Sequence, residues 1–113
     1  MEFRTIVIRS SNISAAAEFY SKLGLIFEYH QHGNGAFHYA CTLKNITFEI
    51  YPLLKNQTTA DTSTRLGIAI DNFDVVLTAF SPEQILKAPH LTEWGELAIV
   101  QDPDGRKIEI YRT

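Results

Sequence analysis

An internal repeat constrains the fold of this chain more than any other feature of its sequence. When the 113 residues are aligned with themselves at an offset of 60 positions, Asn12 falls on Asn72 and Glu49 falls on Glu109. Apolar and aromatic positions keep this offset without a gap, and these pairs are Ile8 with Ile68, Ile13 with Phe73, Ile50 with Ile110 and Tyr51 with Tyr111. A chain that repeats in this way is expected to contain two similarly folded halves.

Each half has the same predicted order of elements. An alternating strand opens each half, at 5–9 and at 65–70, and a helix follows because Asn12 and Asn72 are favoured N-cap residues before apolar positions with helical spacing. The three strands predicted after each helix are 26–32, 36–43 and 46–51 in the first half and 84–88, 96–101 and 106–112 in the second. The order is βαβββ twice, which predicts an α+β fold. We expect one domain over 1–113, with repeat 1 at about 3–52, a linker at about 53–64 and repeat 2 at about 65–113.

Alternation of side chains sorts the strand residues onto two faces. A two-residue turn at Lys44-Asn45 predicts that Leu43 faces Ile46 and that His38 faces Tyr51. One face of the first half is then apolar and suited to cover by the helix, with Phe37, Tyr39, Cys41, Leu43, Ile46, Phe48 and Ile50. The other face is mixed, with His38, Ala40, Thr42, Thr47, Glu49 and Tyr51.

The same alternation is applied to the second half. It predicts that Leu97 and Ile99 share the helix-covered face with Ile108 and Ile110, and that the mixed face holds Ala98, Val100, Lys107, Glu109 and Tyr111. Two such curved sheets could place their mixed faces around one cavity, as small-molecule sites often require. The alternative is that each mixed face is simply solvated.

Composition excludes several classes of function. The formal net charge is −3, and the ten Lys and Arg residues are scattered, so nucleic acid is not an expected partner. No segment approaches the ~20 apolar residues of a membrane span. One cysteine, Cys41, cannot form an internal disulfide, which favours a reducing, cytoplasmic location.

Several motifs resemble those of the glyoxalase / bleomycin-resistance / extradiol dioxygenase superfamily, also called vicinal oxygen chelate. In chain order the motifs are Asn12-x6-Phe19-Tyr20-x2-Leu23-Gly24, Glu49 on a strand, Glu93-Trp94-Gly95 and Asp102-Pro103-Asp104-Gly105-x3-Glu109. The resemblance covers nearly the whole chain. It implies two βαβββ repeats that form a curved, cup-like mixed β-sheet with the helices on the outside, and assembly into a homodimer.

The resemblance also implies where a metal would bind. Metal-dependent members take ligands from the first and last strand of each half, which correspond here to Thr5 and Glu49 and to Arg65 and Glu109. Thr is a poor ligand, and Arg is always charged and has no lone pair to offer. We therefore predict no metal or other cofactor, and instead a buried cluster of Arg65 between the two glutamates. Arg65→Ala is then expected to destabilise the fold by about 3–5 kcal/mol.

The remaining candidates come from histidines and aromatic residues. His38 falls on the mixed face beside Glu49 and is either a wall residue, a general base or a substitute ligand. His30 and His32 share one face of a strand, so zinc is geometrically feasible, but no third ligand is evident from the sequence. Trp94 either forms a flat wall for an aromatic ligand or plugs the mouth of the cup. His90 is assigned to a loop at 89–94, and the Asp102–Gly105 segment to a turn.

The favoured hypothesis is a protein that binds a small organic molecule in the cup without metal. Its predicted ligand-binding residues are Thr5, His38, Glu49, Tyr51, Arg65, Trp94, Glu109 and Tyr111. The alternative is a metal-dependent lyase, isomerase or dioxygenase that uses Glu49 and Glu109, and the third hypothesis is a structural module whose cup is filled by its own side chains. The sequence leaves open which ligand binds and whether the repeats pair within one chain or across a dimer.

Overall fold

The computed structural model describes residues 1–113, and its contacts divide the chain into two units, Met1–Asp61 and Thr62–Thr113. The elements of the first unit are β1 (Thr5–Ser10), α1 (Ile13–Ser21), β2 (Glu28–His30), β3 (His38–Leu43) and β4 (Ile46–Pro52). Those of the second unit are β5 (Leu66–Ile70), α2 (Phe73–Leu77), a 3₁₀ turn (Pro82–Gln84), β6 (Ile85–Thr92), β7 (Gly95–Gln101) and β8 (Lys107–Arg112). The predicted α+β fold with the βαβββ order in each half is confirmed. No helix has the length and apolar character needed to cross a membrane.

The two sheets have the same topology. The strand order is β1-β4-β3-β2 in the first unit and β5-β8-β7-β6 in the second. The opening and closing strands of each sheet are parallel, with Ile6 opposite Phe48 and Leu66 opposite Ile108. The 60-residue offset seen in the sequence therefore also relates the strand registers.

Helix α1 covers one face of the first sheet. Its N-cap is Asn12, whose side-chain Oδ1 accepts a hydrogen bond from the Ala15 N–H at 3.0 Å, as the sequence predicts. The helix packs on β1, β3 and β4, and its residues Phe19 and Tyr20 are buried. Gly24 follows with a φ of +96°, a conformation that glycine adopts without strain, so the chain can turn towards β2.

The core of the first sheet agrees with the predicted apolar face except at its ends. Cys41, Phe48 and Ile50 are buried under the helix. Phe37 and Leu43, which were expected on the same face, are 49% and 40% exposed. Phe37 precedes the first residue of β3 and Leu43 adjoins the turn, so neither lies under α1.

The second helix is shorter than its apolar spacing predicts. Helix α2 ends at Leu77, and three i→i−3 backbone bonds then carry the chain to Phe80, which is still buried. Pro82 restricts only Ser81, which has extended backbone, so it ends the helical turns before the 3₁₀ segment but does not account for the end of α2 at Leu77. Asn72 is the N-cap residue, but its side chain makes no capping bond.

The predicted face assignment of β7 is wrong. Ala98 pairs with Ile110 and Val100 with Ile108, and all four side chains are buried. Ile99 instead lies opposite Glu109 on the mixed face, and Leu97 lies opposite Tyr111. The five residues between Gln101 and Lys107 set this register, and a loop of one residue more or less would have given the other face.

His90 was expected in a loop, and it lies instead on strand β6. The strand runs to Thr92 and includes Pro89, at a register shift between Lys87 and His90. Strand β6 is the edge of its sheet, where a proline that lacks an N–H group is tolerated.

Candidate functional site

His38 is the centre of a polar cluster on the first sheet. It is the first residue of β3 and is only 1% exposed. Its ring stacks on Tyr51 with centroids 4.1 Å apart and planes 8° apart, as the predicted pairing of these positions requires. The Arg9 guanidinium lies 5.1 Å from the centroid of the Tyr51 ring and donates a hydrogen bond to the Pro52 carbonyl.

The hydrogen bonds of His38 define its tautomer. Nδ1 lies 3.0 Å from the Ala36 carbonyl oxygen, which can only accept, so Nδ1 carries a proton and donates it. Nε2 is buried and has no hydrogen bond of acceptable geometry, although it lies 3.3 Å from Oε2 of Glu49. In the neutral ring, Nε2 and the carboxylate each present a lone pair to the other. A cation between them, either a proton or a metal ion, would relieve that repulsion.

Two further imidazoles lie beside His38. His30 is its partner in the β2–β3 register, and their ring centroids are 4.5 Å apart. His32 follows two residues later, 4.8 Å from the His30 centroid and 5.1 Å from that of His38. One nitrogen from each ring can be chosen so that all three lie within 4.8 Å of one another. The sequence did not make a third nitrogen beside His30 and His32 evident, and the structure brings His38 to that position.

A depression of about 450 Å³ opens beside this cluster. Its lining residues are Thr5, Ile26, Glu28, His30, His32, Ala40, Thr42, Thr47 and Glu49. A second depression, larger at about 550 Å³ but more open, adjoins it at Thr5, Thr42 and Thr47. The smaller one contains the carboxylates and imidazoles, so we take it as the candidate site of the first unit.

The second unit brings together three of the other predicted residues. Nη1 of Arg65 lies 3.7 Å from Oε2 of Glu109, and the Tyr111 hydroxyl donates a 3.3 Å hydrogen bond to Oε1 of the same carboxylate. Burial raises the pKa of the Tyr111 hydroxyl above its ordinary value of 10.0, and the adjacent Glu109 carboxylate raises that pKa further. Gly67 lies opposite Glu109, where a Cβ would be 3.4 Å from the Tyr111 ring.

The expectation that Arg65 is buried is wrong. Its side chain is 59% exposed, and 3.7 Å is a loose ion pair rather than a hydrogen-bonded one. The residue immediately precedes β5, so its long side chain starts where the sheet begins and remains in contact with water.

Trp94 is the most exposed of the predicted residues of the second unit. It lies in the β6–β7 turn two residues after Thr92, is 74% exposed, and donates its backbone N–H to the Thr92 hydroxyl. Its ring is thus presented to solvent.

Four positions correspond to the metal ligands of the resembled superfamily. The residues at these positions in this chain do not fit a metal ion. Within the second unit, the Arg65 guanidinium already faces Glu109, and a divalent ion there would meet a like charge. Within the first unit, Glu49 lies opposite Val7, and Thr5 lies opposite Thr47. Oε2 of the Glu49 carboxylate lies 3.3 Å from Nε2 of His38, a residue outside these positions.

Sequence reasoning missed a buried ion pair in the Asp102–Gly105 turn. Nη1 of Arg106 donates to Oδ2 of Asp102 at 2.7 Å, and the two side chains are 1% and 0% exposed. Oδ1 of Asp102 accepts the backbone N–H groups of Asp104 and Arg106, both at 2.9 Å. The sequence signal was available, because Asp102 lies four residues before Arg106, at opposite ends of a short polar turn. This pair shapes the turn and takes no part in the candidate site.

The fold is shared with several solved structures. TnmS3, an antibiotic-binding protein from Streptomyces sp. CB03234, matches with a TM-score of 0.77 and 20% identity over 99% of this chain and 95% of that chain. A glyoxalase/bleomycin resistance protein from the same organism matches with a TM-score of 0.71 and 20% identity, over 97% and 99% of the two chains. The oxidase ChaP-H2 matches with a TM-score of 0.72 and 13% identity, over 97% and 91%. No protein-family model and no curated protein matches the sequence. At these identities the likeness establishes the fold.

Proposed function

This chain has the fold of the glyoxalase, bleomycin-resistance and dioxygenase superfamily, and on that premise we propose that it binds a small organic molecule. Binding would not require a metal ion at the positions of Thr5, Glu49, Arg65 and Glu109. The observation that carries the proposal is the depression on the mixed face of the first sheet, which a fold shared with an antibiotic-binding protein makes a natural ligand site.

The lining of the depression favours a cationic or polar aromatic ligand. Two carboxylates, Glu28 and Glu49, border it, and its lining contains no lysine or arginine. The exposed side chain of Ile26 adds an apolar edge, and three threonines supply hydroxyl groups. A flat cation would pair its charge with the carboxylates and lay its ring on the apolar edge.

The residues proposed to contact a ligand are those predicted from the sequence. In the first unit they are Thr5, His38, Glu49 and Tyr51, of which Thr5 and Glu49 line the depression itself. In the second unit they are Arg65, Trp94, Glu109 and Tyr111. The two sets are proposed separately, each within its own unit.

A thermal-shift screen in the presence of EDTA tests the proposal. Polycyclic aromatic antibiotics and aromatic amines are the first compounds to use, followed by calorimetric titration of those that raise the melting temperature. Glu49→Gln should weaken binding of a cationic compound, whereas Glu18→Gln on the exposed face of α1 should leave it unchanged. Equal effects of the two variants, or no compound that binds without metal, would overturn the proposal.

The alternative of a metal-dependent lyase, isomerase or dioxygenase that uses Glu49 and Glu109 has weaker support. The Arg65 guanidinium lies 3.7 Å from the Glu109 carboxylate, where its positive charge would oppose a divalent ion. Catalysis by such an enzyme would require Arg65 to turn away, so Arg65→Ala is the variant in which to look for it.

We further propose a homodimer in a reducing cytoplasm. The dimer follows from the resemblance, and the compartment from a single cysteine, Cys41, which is buried and unpaired. Light scattering coupled to size exclusion would test the assembly state.

A further inference from the structure

The three histidines at the β2–β3 edge lie closer together than separate solvated side chains would. Three imidazole nitrogens lie within 4.8 Å of one another, with His30 and His38 held opposite each other by strand pairing. A tetrahedral ion with metal–nitrogen distances of about 2.0–2.1 Å requires nitrogens about 3.3 Å apart. His32 is exposed and lies beyond the end of β2, so rotation of its side chain is the simplest way to close the difference.

Two unpaired imidazole nitrogens make this cluster suited to a cation. His30 Nδ1 and His38 Nε2 are both buried without a hydrogen-bond partner, and such groups are costly in a folded protein. His38 donates its Nδ1 proton to the Ala36 carbonyl, which is the outer contact that fixes a metal-binding imidazole with its Nε2 lone pair available. Oε2 of Glu49 lies 3.3 Å from Nε2 of His38 and supplies a negative charge beside it.

We propose that His30, His32 and His38 bind a divalent transition-metal ion, with Glu49 beside it as a further carboxylate ligand or hydrogen-bond acceptor. Neutral imidazoles favour Zn²⁺, Ni²⁺ or Cu²⁺ over Mg²⁺ and Ca²⁺, which prefer oxygen ligands. His30, His32 and Glu49 also line the 450 Å³ depression, so the ion has a side open to solvent. None of the three histidines lies on an opening or closing strand of a sheet, where the superfamily places its ligands.

Titration of metal-free, untagged protein with Zn²⁺ alone tests the proposal, by calorimetry and by the rise in melting temperature. We expect one equivalent to bind, with no response to Mg²⁺. His32→Ala should weaken Zn²⁺ binding by roughly tenfold or more, and because His32 is exposed the variant should fold normally.

His90→Ala is the matched control. His90 is the fourth histidine and lies in the second unit, and its Nδ1 is 2.9 Å from the Ala88 carbonyl oxygen, as that of His38 is near Ala36. Its replacement should leave Zn²⁺ affinity unchanged. Failure of Zn²⁺ to bind at one equivalent, or an equal loss in His32→Ala and His90→Ala, would overturn the proposal. The inference does not depend on the proposed organic ligand, whose binding is measured in EDTA, so either proposal can fail without the other.

Discussion

Arg65 and Arg106 show how burial decides the energetic value of an ion pair. Arg106 is 1% exposed and bonded to a buried Asp102, whereas Arg65 is 59% exposed and only loosely paired with Glu109. Attraction between charges in water is offset by hydration and by the entropy of long side chains, but a buried charge that loses its partner has no water to replace it. The same substitution at the two positions should therefore give different results.

Arg106→Met should lower the free energy of unfolding by about 3–5 kcal/mol, because it leaves the Asp102 carboxylate buried without its counter-charge. Urea denaturation followed by circular dichroism measures this loss. A decrease below about 1 kcal/mol would mean that the backbone N–H groups bound to Asp102 stabilise its charge by themselves.

Arg65→Met should lower the free energy of unfolding by less than about 1 kcal/mol, as is usual for exposed pairs. This expectation replaces the larger loss that the sequence suggested. The same urea denaturation tests it, and a loss as large as that of Arg106→Met would show that Arg65 is buried in solution.

The candidate site was predictable in part at this scale. The two-residue turn at Lys44-Asn45 fixed the pairing that brings His38 beside Tyr51 and Glu49. The approach of His30 was not predictable, because the seven residues between His30 and His38 do not determine a register, and β2 has only three paired residues. The exposure of Arg65 was not predictable either, because the alternation of side chains along a strand gives the face on which a residue lies but not how deeply it is buried.

At the scale of elements, the two helices begin in different ways although an asparagine precedes both. The Asn12 side chain bonds to the Ala15 N–H, whereas the Asn72 side chain makes no capping bond. Asn12→Ala should therefore lower the free energy of unfolding by about 1 kcal/mol, and Asn72→Ala by only a few tenths. Thermal denaturation of the two variants compares them directly, and equal losses would contradict the structure.

Arg112 joins helix α2 to the second sheet. From β8 it donates two hydrogen bonds to Asp74 of α2 and one to Glu96 of β7, and its guanidinium lies 4.5 Å from the centroid of the Phe73 ring. The hydrogen bonds to Asp74 and Glu96 raise the pKa of Arg112, and the hydrogen bonds from Arg112 lower the pKa of Asp74 below its ordinary value of 3.8. An exposed chain of charges thus connects three elements.

The lowered pKa of Asp74 makes the stability of the folded chain depend on pH. Because the pKa of Asp74 is lower in the folded chain, its contribution to stability is complete above the ordinary pKa of 3.8 and is lost as pH falls through the lower, folded value. Asp74→Asn should melt at a lower temperature than the wild type at pH 7. The two melting temperatures should converge in the most acidic buffers, and a gap that stays constant down to pH 2 would contradict this account.

The elements themselves were well predicted, and their registers less so. The order and type of all strands followed from alternation and turn residues, but β6 extends to Thr92, beyond its predicted end at residue 88. The faces of β7 did not, because the parity of the Asp102–Arg106 connection was assumed rather than determined by a known turn type. The contacts between Asp102 and Arg106 span this connection, so recognising that pair in the sequence would have given its length.

For the whole molecule, the division into two units predicts where a protease acts first. The segment 53–65 contains no helix or strand, and Lys55 and Arg65 within it are exposed. Brief treatment with trypsin should cleave after these residues before it cleaves at Lys87 or Lys107, which lie on strands. Mass spectrometry identifies the fragments, and early cleavage within β6 or β8 would contradict the assignment.

The parallel pairing within each sheet has a consequence for the order in which the chain is made. Thr5 pairs with Thr47 and Leu66 with Ile108. The opening strand of each sheet therefore cannot pair until the last strand of its half has been synthesised. On the ribosome, β1 would remain without its partner until β4 emerges, while the β3–β4 hairpin can form at once. All strands of the first sheet can then pair before the second half has left the exit tunnel. Because the two halves have closely similar pairing patterns, this delay during translation limits pairing of a strand with the wrong half.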